Sequence, residues 1–541
     1  MVARGQCWTC CRHQALCDGR KPTCERCQAC NLECLGYGAE DLRGTDNAGP
    51  HQQTEPPPAV KKHPFPGAIL QSPTPYLYRR AQMIFEGLDY FNKLISPNIV
   101  LDASHFNPYI VNLQRLESFP DHYVKVLVAT AGFHRLMTAE PVPTSSSALI
   151  QRDIDVFALR TEALGALNDQ LAHPGAQTSD ATLLTVVALL ITSMQSSAHT
   201  EWRTHLEGAR RIIQLRGGLK NIIRDNPYFK PVLIYFIMAD VMGATTCSSK
   251  HAKMSVATLM ALKYWEIEPN ILRLLAATPN PCPEEICQSI ILINYLRTIA
   301  RNIKLRKGRQ SGTRMVLAKI LRFSPAKYAA RMQYFTGWKP NGKDVGFANS
   351  SPGESHTLPT APGETRGAGS SPEPHPTSAE SSRSSISDRD LWFSVAAVYH
   401  AATLIYGLRT LVVDAEEDDK ALLLPEGKTE ADVAALREEA CRTLTDTLTP
   451  VFSDQDTMYR IGKLVMWPLF ILGTEVNHRD LARRRFFVEG FTMLSHVMGV
   501  LGPIGAIDEL THKWAIDEES NEGARVTWDD YFEGRPDYIV F

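Results

Sequence analysis

An all-α body is the fold class the sequence predicts, and two patterns predict it. From about Tyr76 to Lys339, and again from Asp390 onward, long apolar segments recur without the strict alternation of a half-buried strand. Within them Trp202, Leu206, Ala209 and Ile213 are spaced by four, three and four residues, and Gly217-Gly218 follow. That is the signature of an amphipathic helix closed by a glycine stop. A third observation sets the N-terminus apart. Eight of the twelve cysteines lie between Cys7 and Cys34, so this short segment needs an explanation of its own.

The chain of 541 residues carries 57 Lys+Arg against 59 Asp+Glu, for a net charge of -2, and 44% of it is hydrophobic. This excludes wholesale disorder, collagen-like repeats and a scaffold stapled throughout by disulfides. Near-neutral charge gives no global sign of a polyanion binder, so any nucleic-acid contact has to be local. Met1 to Thr9 contains Arg4 and no apolar run after it, so no secretory signal and no oxidising compartment are expected. The longest candidate membrane run, Leu183 to Met194, is well short of the roughly 20 residues that cross a bilayer. A soluble intracellular chain with no membrane partner is therefore expected.

Taken in order, residues 1–36 form the cysteine-rich module. Residues 37–75 hold ten scattered prolines and glycines beyond Gly38 and read as a disordered linker. The helical body begins at 76 and runs to 339. In it, Tyr123 to Met137 and Leu183 to Met194 are apolar nearly all round, which predicts helices buried on most sides. Residues 340–389 contain Ser-Ser-Pro twice and a closing Ser-rich run, a low-complexity insertion with nothing to pack. Helical pattern resumes through 390–541 as the second part of the same body, ending in an acidic, aromatic tail.

Six cysteines obey a strict rule. Cys7, Cys10 and Cys17 are separated by two and six residues, and Cys24, Cys27 and Cys34 repeat that spacing at an offset of 17. A zinc ion takes four thiolates at about 2.3 Å, so six ligands are too few for two separate sites and too many for one. Two bridging thiolates resolve the count and let two zinc ions lie side by side, the metals replacing a missing hydrophobic core. Cys11 and Cys30 are surplus to the pattern and are read as non-ligating thiols, with competition for zinc or oxidation as the alternative.

This spacing, with Pro22 two residues before the fourth ligand, resembles the fungal binuclear zinc-cluster DNA-binding domain of zinc-cluster transcription factors. The resemblance implies zinc at two ions per chain, two short helices in the module, Cys7 and Cys24 as the bridging pair, and promoter DNA as partner. By position, the DNA-contacting candidates are Arg12, His13, Gln14, Arg20, Lys21 and Arg26. Family members commonly place several Arg or Lys between the second and third cysteines. Here that stretch is Cys11-Arg12-His13-Gln14-Ala15-Leu16, with Arg12 its one fixed positive charge. Residues 1–36 hold five basic and three acidic side chains, while two zinc ions with six thiolates add a net charge of -2. The holo module is thus near neutral, and since phosphate neutralisation supplies most non-specific affinity, it should bind DNA weakly alone. Gln14 suits adenine and His13 donates one bond, whereas Arg12, Arg20, Lys21 and Arg26 suit phosphates. The linker has no heptads, so dimerisation through it is not expected.

The body is similar to the fungal-specific transcription factor regulatory domain that follows such clusters. The residues carrying this are Trp202-x2-His205-Leu206-x-Gly208-Ala209-x2-Ile212-Ile213 before Gly217-Gly218, and Trp467-Pro468-Leu469-Phe470-Ile471-x-Gly473-Thr474-Glu475 with Leu510-x3-Trp514 beyond. The resemblance implies a regulatory domain that senses an inducer, dimerises or restrains activation. His205 is read as structural, and Pro468 as a residue fixing a helix start.

Three weaker signals remain. The basic run Arg297, Arg301, Lys304, Arg306, Lys307, Arg309 and Arg314 reads as a solvated helix face, with nuclear import or phosphate contact as the alternative. Residues 508–541 hold ten acidic and three basic side chains among six aromatics, the composition of an exposed activation segment, with a docked tail as the competing reading. The run Asp414, Glu416, Glu417, Asp418, Asp419 reads as a solvated loop. No H-E-x-x-H, G-x-S-x-G, P-loop or G-x-G-x-x-G is present, so no enzyme is expected. The sequence reading is a nuclear, zinc-dependent, sequence-specific regulator of RNA polymerase II genes, acting on a metabolic or biosynthetic gene set. Its partners are promoter DNA and the transcription machinery or co-regulators, with a dimer partner left open. The alternative is an interaction protein whose cluster is structural and whose body binds another transcription factor.

Overall fold

A computed structural model describes residues 17, 20, 23–29, 75–99, 107, 109–139, 154–196, 201–250, 261, 264, 281–336, 388–453, 457–458, 461–520, 526–536 and 538–540. The chain divides into two compact units, Met1–Ser72 and Pro73–Phe541. The linker and insertion expected at 37–75 and 340–389 lie almost wholly outside the described residues.

In the first unit the described element is α1, Glu25–Ala29. The second unit is helical among its described residues, with no strand pairing into a sheet, as the all-α expectation requires. Its elements run α2 Pro75–Tyr90, α3 Asp121–Thr138, α4 Ile154–Leu171, α5 Asp180–Ser196, α6 Glu201–Leu215, α7 Leu219–Asp225, α8 Lys230–Gly243 and α9 Glu284–Thr298. They continue as α10 Arg306–Arg322, α11 Pro325–Thr336, α12 Asp388–Leu408, α13 Glu417–Leu423, α14 Glu430–Ser453, α15 Met466–Thr474, α16 Leu481–Met498, α17 Gly502–Glu519 and α18 Trp528–Phe532.

Helix α6 follows its sequence pattern closely. Trp202, Leu206, Ala209 and Ile213 are all buried on one face. Gly217 and Gly218 take φ of +80° and +95°, and the Gly218 N–H donates to the Ile213 carbonyl at 2.8 Å, closing a Schellman-type end. Helices α3 and α5 are buried along most of their length, as their apolar circumference predicts. They pack on each other, α3 also on α2 and α4, and α5 also on α6. Close approach of α8 to α6 needs Gly243, because a Cβ there would lie 2.5 Å from the Trp202 ring. Pro468 lies in the first turn of α15, where its missing N–H leaves no helical bond unmade.

The C-terminal helices share this core. One buried cluster runs from Val126 to Val540 and includes side chains of α5, α6, α8, α9, α12, α15 and α17. Helix α12 packs against α9, α10, α11, α14 and α15, and α16 and α17 return against α3 and α5. With the π-turn that extends it, α12 contains the stretch Leu391–Val413, which is long and apolar enough to cross a membrane. It exceeds the Leu183–Met194 run taken from sequence as the longest candidate, because Tyr399, His400 and Tyr406 break the visual apolar pattern without adding charge. In the fold 83% of that stretch is buried, so its apolar surface faces other helices.

Candidate functional site

Of the six cysteines in the repeat, Cys17, Cys24 and Cys27 are described, and Cys7, Cys10 and Cys34 lie outside the described residues. Cys24 precedes α1 and Cys27 falls at its third position. Both are buried, and the Cys27 N–H donates to the Cys24 sulfur at 3.4 Å. A sulfur thus occupies the place of a Ser or Asp cap at a helix start, which explains why a two-residue gap turns both side chains to the same region. Soft sulfur donors held together in this way fit a zinc site by ligand chemistry. Among the described residues no group of three or more His, Cys, Asp or Glu is placed to hold a metal.

The nucleic-acid candidates are similarly divided. Arg12, His13, Gln14 and Lys21 lie outside the described residues, and Arg26 is placed by its backbone in α1. Arg20 is exposed and forms an ion pair with Glu25, which offsets part of the charge it would bring to a phosphate.

The body holds a buried polar junction that sequence reasoning missed. Arg297 donates from Nη2 to Asp529 at 2.6 Å and to the Cys247 carbonyl at 2.9 Å, and from Nη1 to the Tyr406 hydroxyl at 2.5 Å. The Tyr406 hydroxyl donates on to Asn294, whose amide reaches the Val241 carbonyl. Trp467 and Trp528 donate their indole N–H groups to Thr245, the first to its hydroxyl and the second to its carbonyl. Burial pushes the Tyr406 hydroxyl up to about 12 despite the neighbouring guanidinium, so it stays a neutral donor.

Three sequence readings are corrected by these contacts. Arg297 and Arg309 are buried, so the basic run is not one solvated face; residues 301–308 remain exposed. The acidic run is not a solvated loop. Glu417, Asp418 and Asp419 form the first turn of α13, where the helix dipole favours them, and Asp419 is buried against Arg306 and Arg309. The C-terminal tail is docked, with Trp528, Tyr531, Phe532 and Tyr538 buried. A Thr527–Asp530 capping box starts α18, and the Thr246 hydroxyl donates to the Tyr538 carbonyl at 2.6 Å.

A cavity of about 170 Å³ lies among α3, α5, α8 and the α16–α17 turn. Most of its wall is aliphatic or aromatic, and no Lys, Arg, Asp or Glu lines it. The Thr130 hydroxyl donates to the Val126 carbonyl and lies 2.7 Å from the Thr192 hydroxyl, and the Tyr109 hydroxyl reaches the Pro231 carbonyl. His134 Nδ1 lies 2.9 Å from the Tyr90 hydroxyl, and burial lowers the imidazole to about 4, leaving it neutral. Gln195 donates from Nε2 to the Gly499 carbonyl at 3.1 Å, while its buried Oε1 has no hydrogen-bond partner. No local motif marks this cavity, because its wall is drawn from residues between 91 and 539.

Residues 86–319 match the family model of the fungal specific transcription factor domain. The chain is also similar, at 22% identity over 527 residues, to a phomenoic acid biosynthesis cluster-specific transcriptional regulator of Leptosphaeria maculans; the alignment covers 94% of this chain and 85% of that protein. No solved structure matches the chain. The domain match and the relative support a transcription regulator and point away from an enzyme, and the family implies a nuclear role.

Proposed function

We propose that the protein is a zinc-dependent, sequence-specific DNA-binding regulator of RNA polymerase II genes, and that it controls a biosynthetic gene set. The observation that carries this reading is the doubled C-x2-C-x6-C repeat standing ahead of a segment matched to the fungal specific transcription factor domain. The named role of the Leptosphaeria relative favours a secondary-metabolite cluster as the target class. Cys7, Cys10, Cys17, Cys24, Cys27 and Cys34 would hold two zinc ions, which supply the module with the cross-links that a hydrophobic core would otherwise provide. Arg12, Arg20, Lys21 and Arg26 would position the module on phosphates, and His13 and Gln14 would face base edges. The helical body would couple a signal or a co-regulator to transcription.

The test is selection from random DNA duplexes by zinc-loaded full-length protein at two salt concentrations. Enrichment of a defined site, with affinity that falls as salt rises, supports direct promoter reading. The scarcity of basic residues between Cys11 and Leu16 favours one second reading, an interaction protein with a structural cluster that acts through another transcription factor. Zinc bound at two per chain with no enriched sequence is the result that selects it.

A further inference from the structure

We propose that the cavity between α3, α5, α8 and the α16–α17 turn binds an uncharged, mainly apolar small molecule whose single hydrogen-bond donor pairs with Gln195 Oε1. This goes beyond the regulator reading, and the binding chemistry does not depend on it.

Size sets the first limit. At about 170 Å³ the cavity slightly exceeds the roughly 150 Å³ apolar cavity that stays dry and accepts benzene, so a single ring or a short branched chain fits and a polycyclic ligand does not. Charge sets the second. The wall offers no ionised side chain, and His134 is neutral, so an ionic ligand would lose its hydration with no counter-charge to replace it.

Hydrogen bonding sets the third. The Thr130 and Tyr109 hydroxyls donate within the protein, and His134 Nδ1 has Tyr90. Gln195 is only 4% exposed and its Oε1 is an acceptor with no partner. Rotating the amide by half a turn does not remove the defect, since the oxygen would then face the Gly499 carbonyl that Nε2 now serves. A buried acceptor without a partner costs about 1–3 kcal/mol. A ligand O–H or N–H recovers that energy, and a purely apolar ligand of the same shape does not.

The same residue ties the cavity to the turn. Gln195 holds Gly499 through its side chain and accepts the Leu501 N–H with its backbone carbonyl at 2.7 Å. Occupancy would therefore brace residues 91–235 against 497–539 and stabilise the body.

Phenol and toluene are the probes, being alike in shape with the donor present in the first alone. Binding to full-length protein is read by equilibrium dialysis and by the thermal unfolding midpoint. Both probes are expected to bind and raise the midpoint, and Ala188→Leu, which fills part of the cavity, to weaken both about ten-fold or more. The ratio of phenol to toluene affinity should fall about ten-fold in Gln195→Met, in line with one recovered hydrogen bond. Binding of neither probe, binding unaffected by Ala188→Leu, or an unchanged ratio in Gln195→Met each overturns the proposal. If Gln195→Met does not fold, anisole replaces the variant: having no donor, it must bind more weakly than phenol, and equal affinity overturns the proposal.

Discussion

Arg297 and Asp529 meet in the interior of the body, Nη2 to Oδ1 at 2.6 Å, although 232 positions separate them in the chain. Burial opposes ionisation of the Asp529 carboxyl, but Arg297 and two hydrogen bonds from Ser249 outweigh it and hold the group below its ordinary range. The pair fastens α18 to α9, and with Thr245 and Trp528 it fixes a tail that composition alone would leave in solvent.

Removing one partner should be costly, because the other charge stays buried. Asp529→Ala is expected to destabilise the body by about 3–5 kcal/mol in urea unfolding, and Arg297→Met with Asp529→Leu to recover much of that loss. A cost below about 1 kcal/mol for Asp529→Ala would mean that the tail is held by its aromatics alone.

His134 gives the fold a pH dependence of definite sign. Its folded-state value is about 4 against 6.5 for an unperturbed imidazole, so the unfolded chain takes up the proton first as pH falls. The stability it permits is intact above about pH 6.5 and declines between there and about pH 4, by an amount on the order of 3 kcal/mol in all. His134→Gln should flatten that part of the stability profile. An unchanged slope between pH 7 and pH 5 would show that His122 and His400, which burial also lowers, carry the effect instead.

Helix positions and their burial were legible in the sequence where the pattern was local. The four apolar residues of α6 and its double-glycine end needed only seventeen consecutive letters. Charges were misread because their partners are remote: Arg297 finds Asp529, and Arg306 finds Asp419 more than a hundred positions away. Two local cues did point to the docked tail, the Thr527-x2-Asp530 box and the apolar Tyr538-Ile539-Val540, but the surrounding acidic residues masked them. The cavity left no local trace, since Gln195 becomes notable only when its Oε1 is seen to lack a donor.

Two glycines in helices should respond to alanine with opposite signs. At Gly243 a Cβ would lie 2.5 Å and 2.9 Å from atoms of the buried Trp202 ring, a rigid neighbour. Gly243→Ala should cost about 1–3 kcal/mol through overpacking between α8 and α6. At Gly165 in α4 nothing lies within 4 Å of the added atom, so Gly165→Ala should stabilise by up to about 1 kcal/mol from helix propensity. Denaturant midpoints of the two variants check both, and a neutral Gly243→Ala would show that α8 shifts away from Trp202 at little cost.

The proposed cluster makes a distinction among cysteines that metal analysis can test. Cys24 and Cys27 are buried together at the start of α1, whereas Cys11 falls outside the repeat. If the repeat holds zinc, Cys24→Ser should lower bound zinc from two ions per chain to one or none and abolish any selective DNA retention, because oxygen is a poorer zinc donor than thiolate. Cys11→Ser should leave zinc content unchanged. Chelation should spare the main unfolding transition, since the cysteines belong to a different compact unit from the helical body. Zinc lost equally from both variants would show that the spacing rule does not define the ligands, and the basic-poor module would then need another explanation for its crowded thiols.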